Sequence, residues 1–104
     1  MTVATIGTTA VHVDAEGFLT DYDEWDETLA HDLAAAIGIE LTEAHLAAIR
    51  FLRADYLTEG ETATLRRVST LAGIPIKELF ALFPVKPAKK MAYIAGLPKP
   101  HGCV

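Results

Sequence analysis

Residues 64–84 read TLRRVSTLAGIPIKELFALFP, and their punctuation decides how the chain is taken. A helix beginning near Thr62 or Thr64 carries Leu65, Val68 and Leu71 inward and ends at Gly73. Pro75 then suits the first turn of another helix, with Ile76, Leu79, Phe80 and Phe83 packed before Pro84 ends it. Two helices joined by a tight Ala72-Gly73-Ile74-Pro75 turn form a helix-turn-helix pattern. That pattern has two readings: the core of a small bundle, or a module that docks on DNA. The second helix offers Lys77 and Glu78 but no Arg, Asn or Gln to read base edges.

Working toward the N-terminus, Thr42 caps a preceding helix with Leu46, Ile49, Leu52 and Tyr56 as its buried stripe and Gly60 at its end. Before it, Asp21 or Asp23 caps a helix whose apolar positions Trp25, Leu29, Leu33 and Ile37 recur every four residues until Gly38. Val3–Ile6 and Ala10–Val13 are β-prone runs separated by Gly7-Thr8-Thr9, the pattern of a short hairpin. Toward the C-terminus, Pro87 starts a fifth, short helix through Ala95, capped by Gly96. The two prolines and glycine of residues 97–104 have no helical period and read as an extended arm. The expectation is an α+β domain spanning 1–104, with a hairpin region at 1–20, a helical bundle at 21–96 and a mobile arm at 97–104.

Composition narrows the function. A chain of 104 residues that is 51% apolar makes one domain with one core. Its net charge of −5 argues against a phosphate backbone as main partner. The charge is uneven: residues 1–49 hold ten acids and no Lys or Arg, whereas residues 50–104 hold nine Lys or Arg and four acids. A basic half of that kind is a solvated surface or one prepared for an acidic partner. No stretch has the length and apolarity of a membrane span, and no basic segment opens a signal peptide, so a cytoplasmic protein is expected. Cys103 is the single cysteine, which excludes an intramolecular disulfide and a multi-thiolate metal cage. His12, His31, His45 and His101 fall on four different elements without ligand spacing, so no metal is expected. Ser69, the only serine, lies on a helix without a nucleophile motif.

The tail carries the chemistry. Seven residue steps separate Gly96 from Cys103, a reach of about 23 Å at roughly 3.3 Å per extended residue. Pro98 and Pro100 restrict the arm, and Gly102 lets it turn in a narrow channel. Lys99 and His101, with Lys86, Lys89 and Lys90 upstream, favour the thiolate, and the terminal carboxylate opposes it. An incidental exposed thiol is the alternative.

The segment GLPKPHGCV at 96–104 resembles the C-terminal arm of the DsrC/TusE family of sulfur-relay proteins. The resemblance extends upstream through Glu16–Leu19, Gly38–Thr42, Ile49–Arg53, Leu79–Pro84 and Pro87–Lys89, in the same order. It implies that Cys103 accepts sulfane sulfur as a persulfide and passes it on, making the chain a sulfurtransferase in the sense of a carrier, without cofactor or metal. It implies Gly96, Pro98, Lys99, Pro100, His101 and Gly102 as arm and docking residues. Arg66, Arg67 and Lys77 become candidates for a basic surface against which the resting arm lies. The implied partners are a donor complex of the TusBCD/DsrEFH type and an acceptor sulfurtransferase, thiouridylase or sulfur-metabolism enzyme, with no membrane and no direct nucleic-acid contact. The chain departs from the two-cysteine members at Ala92, eleven positions before Cys103, where they carry a second thiol. It departs again at Glu61–Thr64, where relatives often have prolines, in the loop expected beside the arm. A regulatory or DNA-binding module with a redox-sensing or non-reactive cysteine is the alternative from another class.

Overall fold

A computed structural model describes residues 2–100. Strands β1 (Thr2–Ile6) and β2 (Thr9–Val13) form an antiparallel hairpin with Thr2 opposite Val13 and Ile6 opposite Thr9. Thr9 is thus paired, and the turn is the two residues Gly7 and Thr8 rather than the expected three. Gly7 has φ +60°, the left-handed conformation that opens a two-residue hairpin turn. A side chain there would also meet Asp32, whose Oδ2 lies 2.5 Å from the position of a Cβ. Strand alternation does the rest, with Val11 and Val13 buried and His12 facing out.

The first helical segment differs from the sequence expectation. Asp21 caps a single 3₁₀ turn at Tyr22–Glu24, and α1 (Glu27–Ala36) starts only at Asp26, whose carboxylate accepts from the Leu29 N–H at 2.7 Å. The acids at 21, 23 and 26 are all competent caps, and the one used leaves Trp25 off the helix. Leu29 and Leu33 pack with Val11, Val13 and Leu19 against the hairpin, while Ala30 and Ala34 belong to the main core.

That core is built by four further helices. These are α2 (Glu43–Glu59), α3 (Leu65–Ala72), α4 (Ile76–Leu82) and α5 (Pro87–Ile94). The caps fall where the sequence places them: Thr64 accepts from the Arg67 N–H, and Gly60 and Gly73 end their helices in the left-handed region. Leu46, Ile49, Leu52, Val68, Leu79 and Phe83 are buried as expected. Leu71, Ile76 and Phe80 are instead exposed. Two-turn helices present only one narrow row to the bundle, and Ala72 with Val68, and Phe83 with Leu79, occupy it. His45 ties α2 to α4: its Nδ1 accepts from the Thr42 N–H at 3.1 Å, and its Nε2 donates to the Leu82 carbonyl at 2.8 Å. Among the described residues no helix is long and apolar enough to cross a membrane.

The hairpin is fastened to the 3₁₀ turn by Glu24, which accepts from the His12 N–H at 2.8 Å and contacts His12 Nδ1 at 2.7 Å. The backbone hydrogen bond first, and the ring second, hold the Glu24 carboxyl below its ordinary value of 4.5. A carboxyl with a lowered folded-state pKa contributes stability above its unfolded value and loses it as pH falls through the lowered one. Urea-unfolding midpoints measured from pH 6 to pH 3 are expected to show this loss in the native chain and a flatter acid limb in Glu24→Gln.

Candidate functional site at the base of the C-terminal arm

Helix α5 ends in a two-bond motif: the Gly96 N–H donates to the Tyr93 carbonyl at 3.3 Å and the Leu97 N–H to the Ala92 carbonyl at 3.1 Å. This Schellman arrangement requires a left-handed residue at its turn, and Gly96 has φ +69°. A second constraint acts at the same residue, because Trp25 Cδ1 lies 2.6 Å from where a Cβ would stand. The turn sends Leu97 back into the core, fully buried beside Ile94 and Ala95.

Two side chains distant in sequence, Trp25 and Arg53, hold that turn, and Tyr22 holds Arg53. Trp25 Nε1 donates to the Ile94 carbonyl at 2.8 Å. Arg53 Nη1 donates to the Ala95 carbonyl at 2.9 Å, and Nη2 to the Tyr22 carbonyl at 3.0 Å. The guanidinium carbon sits 3.8 Å from the centre of the Tyr22 ring and 4.1 Å from that of Trp25. Its charge therefore faces helix carbonyls and aromatic faces, both of which attract a cation. Burial pushes the Arg53 guanidinium below its ordinary value, opposed by Tyr22 and Asp23. Nothing in the sequence pattern singles out Trp25, Arg53 or Tyr22 for this role, since the three meet only through contacts across as many as 69 residues.

Of the expected arm, the described residues Leu97–Pro100 lie against the body. The Thr62 hydroxyl donates to the Pro98 carbonyl at 2.7 Å, and Thr62 is itself buried. Thr62 belongs to the Glu61–Thr64 loop, which thus lies beside the arm as expected, and a proline there could not make that bond. Lys99 pairs with Glu16 at 3.3 Å, and Pro100 is buried. Gly96 is accordingly not the point from which the reach is counted. Pro100 is, and Cys103 lies three residues beyond it, about 10 Å when fully extended. His101, Gly102 and Cys103 lie outside the described residues.

The basic-surface candidates are not brought together. Arg67 grips Asp55 with two bonds, Nε to Oδ2 at 2.9 Å and Nη2 to Oδ1 at 2.7 Å, and that carboxylate holds its pKa up. Arg66 and Lys77 are exposed, and among the described residues neither forms a hydrogen bond or ion pair with the arm. Lys86, Lys89 and Lys90 line a groove of about 430 Å³ together with Glu16, the acid that pairs with Lys99 of the arm. Among the described residues no group of three or more His, Cys, Asp or Glu side chains is placed to hold a metal ion. The solvent side of α4 shows Ile76, Lys77, Glu78 and Phe80, with no Arg, Asn or Gln to read base edges.

With this geometry in view, the comparisons with known proteins agree. A family model described as "DsrC like protein" matches residues 5–104. A protein of Sodalis glossinidius called sulfurtransferase TusE is 42% identical, over 92% of this chain and 95% of its own length. One of Salmonella typhimurium with the same name is 37% identical, over 90% and 93%. Among solved structures, Allochromatium vinosum DsrC superposes with a TM-score of 0.85 at 34% identity, covering 98% of this chain and 97% of its own. The oxidised γ-subunit of dissimilatory sulfite reductase from Archaeoglobus fulgidus does so with a TM-score of 0.80 at 35% identity, covering 99% and 100%.

Thr62→Val removes the hydroxyl that donates to the Pro98 carbonyl, a loss of about 1–1.5 kcal/mol. Hydrogen exchange is expected to lower protection of the Leu97 amide about tenfold while leaving Val11 unchanged. Arg53→Met, which removes two carbonyl partners, is expected to lower global stability by about 2 kcal/mol in urea unfolding.

Proposed function

The chain belongs to the DsrC family and serves in sulfur relay, and from that premise we propose that Cys103 carries sulfane sulfur as a persulfide between two partner proteins. The observation that supports this most directly is the short tether. The chain's one thiol stands three residues beyond Pro100, and Pro100 follows a segment fastened by Leu97, the Thr62–Pro98 bond and the Lys99–Glu16 pair. A thiol placed there can meet another protein's sulfur while the body supplies a fixed docking frame.

The chemistry is exchange without a cofactor. The Cys103 thiolate attacks the outer sulfur of a donor persulfide, an S–S bond forms at Cys103, and the donor's S–S bond breaks with its inner sulfur leaving as thiolate. The hydrogen on the outer sulfur travels with it, giving Cys103–SSH with no net oxidation. An acceptor thiolate then repeats the attack on the same outer sulfur and returns Cys103 to the thiolate. Lys99 and His101 are the arm residues proposed to support docking or the thiolate charge, with Pro98, Pro100, Gly102 and Gly96 shaping the path of the chain.

Ala92 favours the one-thiol form of the relay. It is fully buried on α5, and no second cysteine exists with which Cys103 could close a disulfide or an internal trisulfide. The relatives named sulfurtransferase TusE therefore fit the chemistry better than sulfite-reductase subunits. The proposed partners are a donor complex of the TusBCD/DsrEFH type and an acceptor leading to thiolated tRNA or to sulfur oxidation.

Intact-protein mass spectrometry after incubation with inorganic polysulfide tests the carrier. An added mass of one sulfur, removed by reductant and absent from Cys103→Ser, is the expected result. Equal loading of the serine variant would overturn the assignment.

A further inference from the structure

Beside the arm lies the groove of about 430 Å³. Its floor is apolar: Phe18 and Tyr93 meet edge to face with ring centres 5.8 Å apart, and Ile37 joins them. Lys86, Lys89 and Lys90 stand along its rim. The Lys90 side chain donates to the Pro84 carbonyl, whereas the side chains of Lys86 and Lys89 make no hydrogen bond or ion pair among the described residues. The one acid in the lining, Glu16, already holds Lys99. Residues 79–104 contain four lysines and no Asp or Glu, so no side chain of this stretch offsets the rim.

The groove's wall is held in an unfavourable backbone conformation. Val85 and Lys86 have φ +59° and +53°, two consecutive left-handed residues that are neither glycine nor asparagine. Such positions are strained and persist where neighbouring contacts fix them. Here Pro87 at the first position of α5, the Lys90 N–H to the Lys86 carbonyl at 3.2 Å, and Lys90 on Pro84 supply that fixing. The result holds Val85 70% exposed at the groove's edge and Lys86 beside it. Folding alone gives no reason to expose a β-branched residue in a strained turn.

We propose that this groove is a docking site for an acidic segment, bearing an apolar side chain, of the protein with which Cys103 exchanges sulfur. The apolar side chain would rest on Phe18 and Tyr93, and its flanking carboxylates would meet Lys86 and Lys89. Charge complementarity sets the occupant's sign, and the Glu16–Lys99 pair joins the groove to the arm, so a partner seated there is within reach of the thiol. The relay role of the site rests on the carrier reading above. The groove's preference for an acidic, apolar ligand does not.

The probe is an acetylated, amidated peptide, EDFLDE, titrated into the full chain at low salt and followed by NMR. The expected result is shifts at Phe18, Val85 and Tyr93, weakening with added salt. Binding is expected to fall about tenfold when Lys86 and Lys89 are both changed to Glu, the effect of two rim charges. The reversed peptide RKFLKR should bind that variant and not the native chain. Equal binding of the neutral peptide QNFLNQ, shifts confined to the Phe80 face, or no binding at millimolar peptide would each overturn the proposal. So would binding that appears only after residues 101–104 are removed, which makes the chain's own tail the occupant. Polysulfide loading of Cys103, measured on the same samples, separates the two ideas. Failure of native protein to load while the peptide still binds would remove the carrier reading and keep the groove.

Discussion

The guanidinium of Arg53 is the point on which the arrangement of this molecule turns. It lies between two aromatic faces and donates to two backbone carbonyls, one at the start of the 3₁₀ turn and one at the end of α5. No carboxylate neutralises it by a direct ion pair among the described residues. A cation in that position is paired with dipoles and π-electrons instead, which fixes direction as well as distance. The start of the helical region and the end of the last helix are thereby locked together through the middle of α2.

From that lock the geometry of the arm follows. The Trp25 ring, held by its bond to Ile94, fills the space where residue 96 would carry a side chain, so only glycine completes the turn. The turn returns Leu97 to the core, after which Thr62 bonds the Pro98 carbonyl and Glu16 pairs with the Lys99 side chain. The contacts come from four separate parts of the sequence. The hairpin's own apolar cluster shares Trp25 and Tyr93 with the main core, which ties the N-terminal strands into the same assembly.

Much of the fold is legible in the sequence because its signals are local. Thr42, Gly60, Thr64, Gly73 and Pro87 each act on the turn of helix they begin or end, and all stand at the expected boundaries. The misreadings have one origin. Leu71, Ile76 and Phe80 have the right spacing for burial, but spacing on a two-turn helix cannot reveal how much of its circumference a neighbour covers. Asp26 competes with two equally suitable acids, and only the demand that Trp25 leave the helix decides among them. The site divides likewise. The arm motif is legible in the sequence, as is the position of the Glu61–Thr64 loop beside it, but a clamp of Tyr22, Trp25 and Arg53 is a long-range coincidence without periodicity. Arg67 looked available in the sequence and is spoken for by Asp55 in space.

The burial of Pro100 has a consequence for how selectivity is divided over the surface. With Pro100 buried and Cys103 three residues further on, chain length alone limits the sulfur to about 10 Å from Pro100. On the carrier proposal, a protein that exchanges sulfur with Cys103 must press against that body as well. The thiol itself would then have little need to discriminate, since any thiolate can do the proposed chemistry. Discrimination passes to the surfaces that come together first, and once they have met, the encounter of the two sulfurs becomes an intramolecular event.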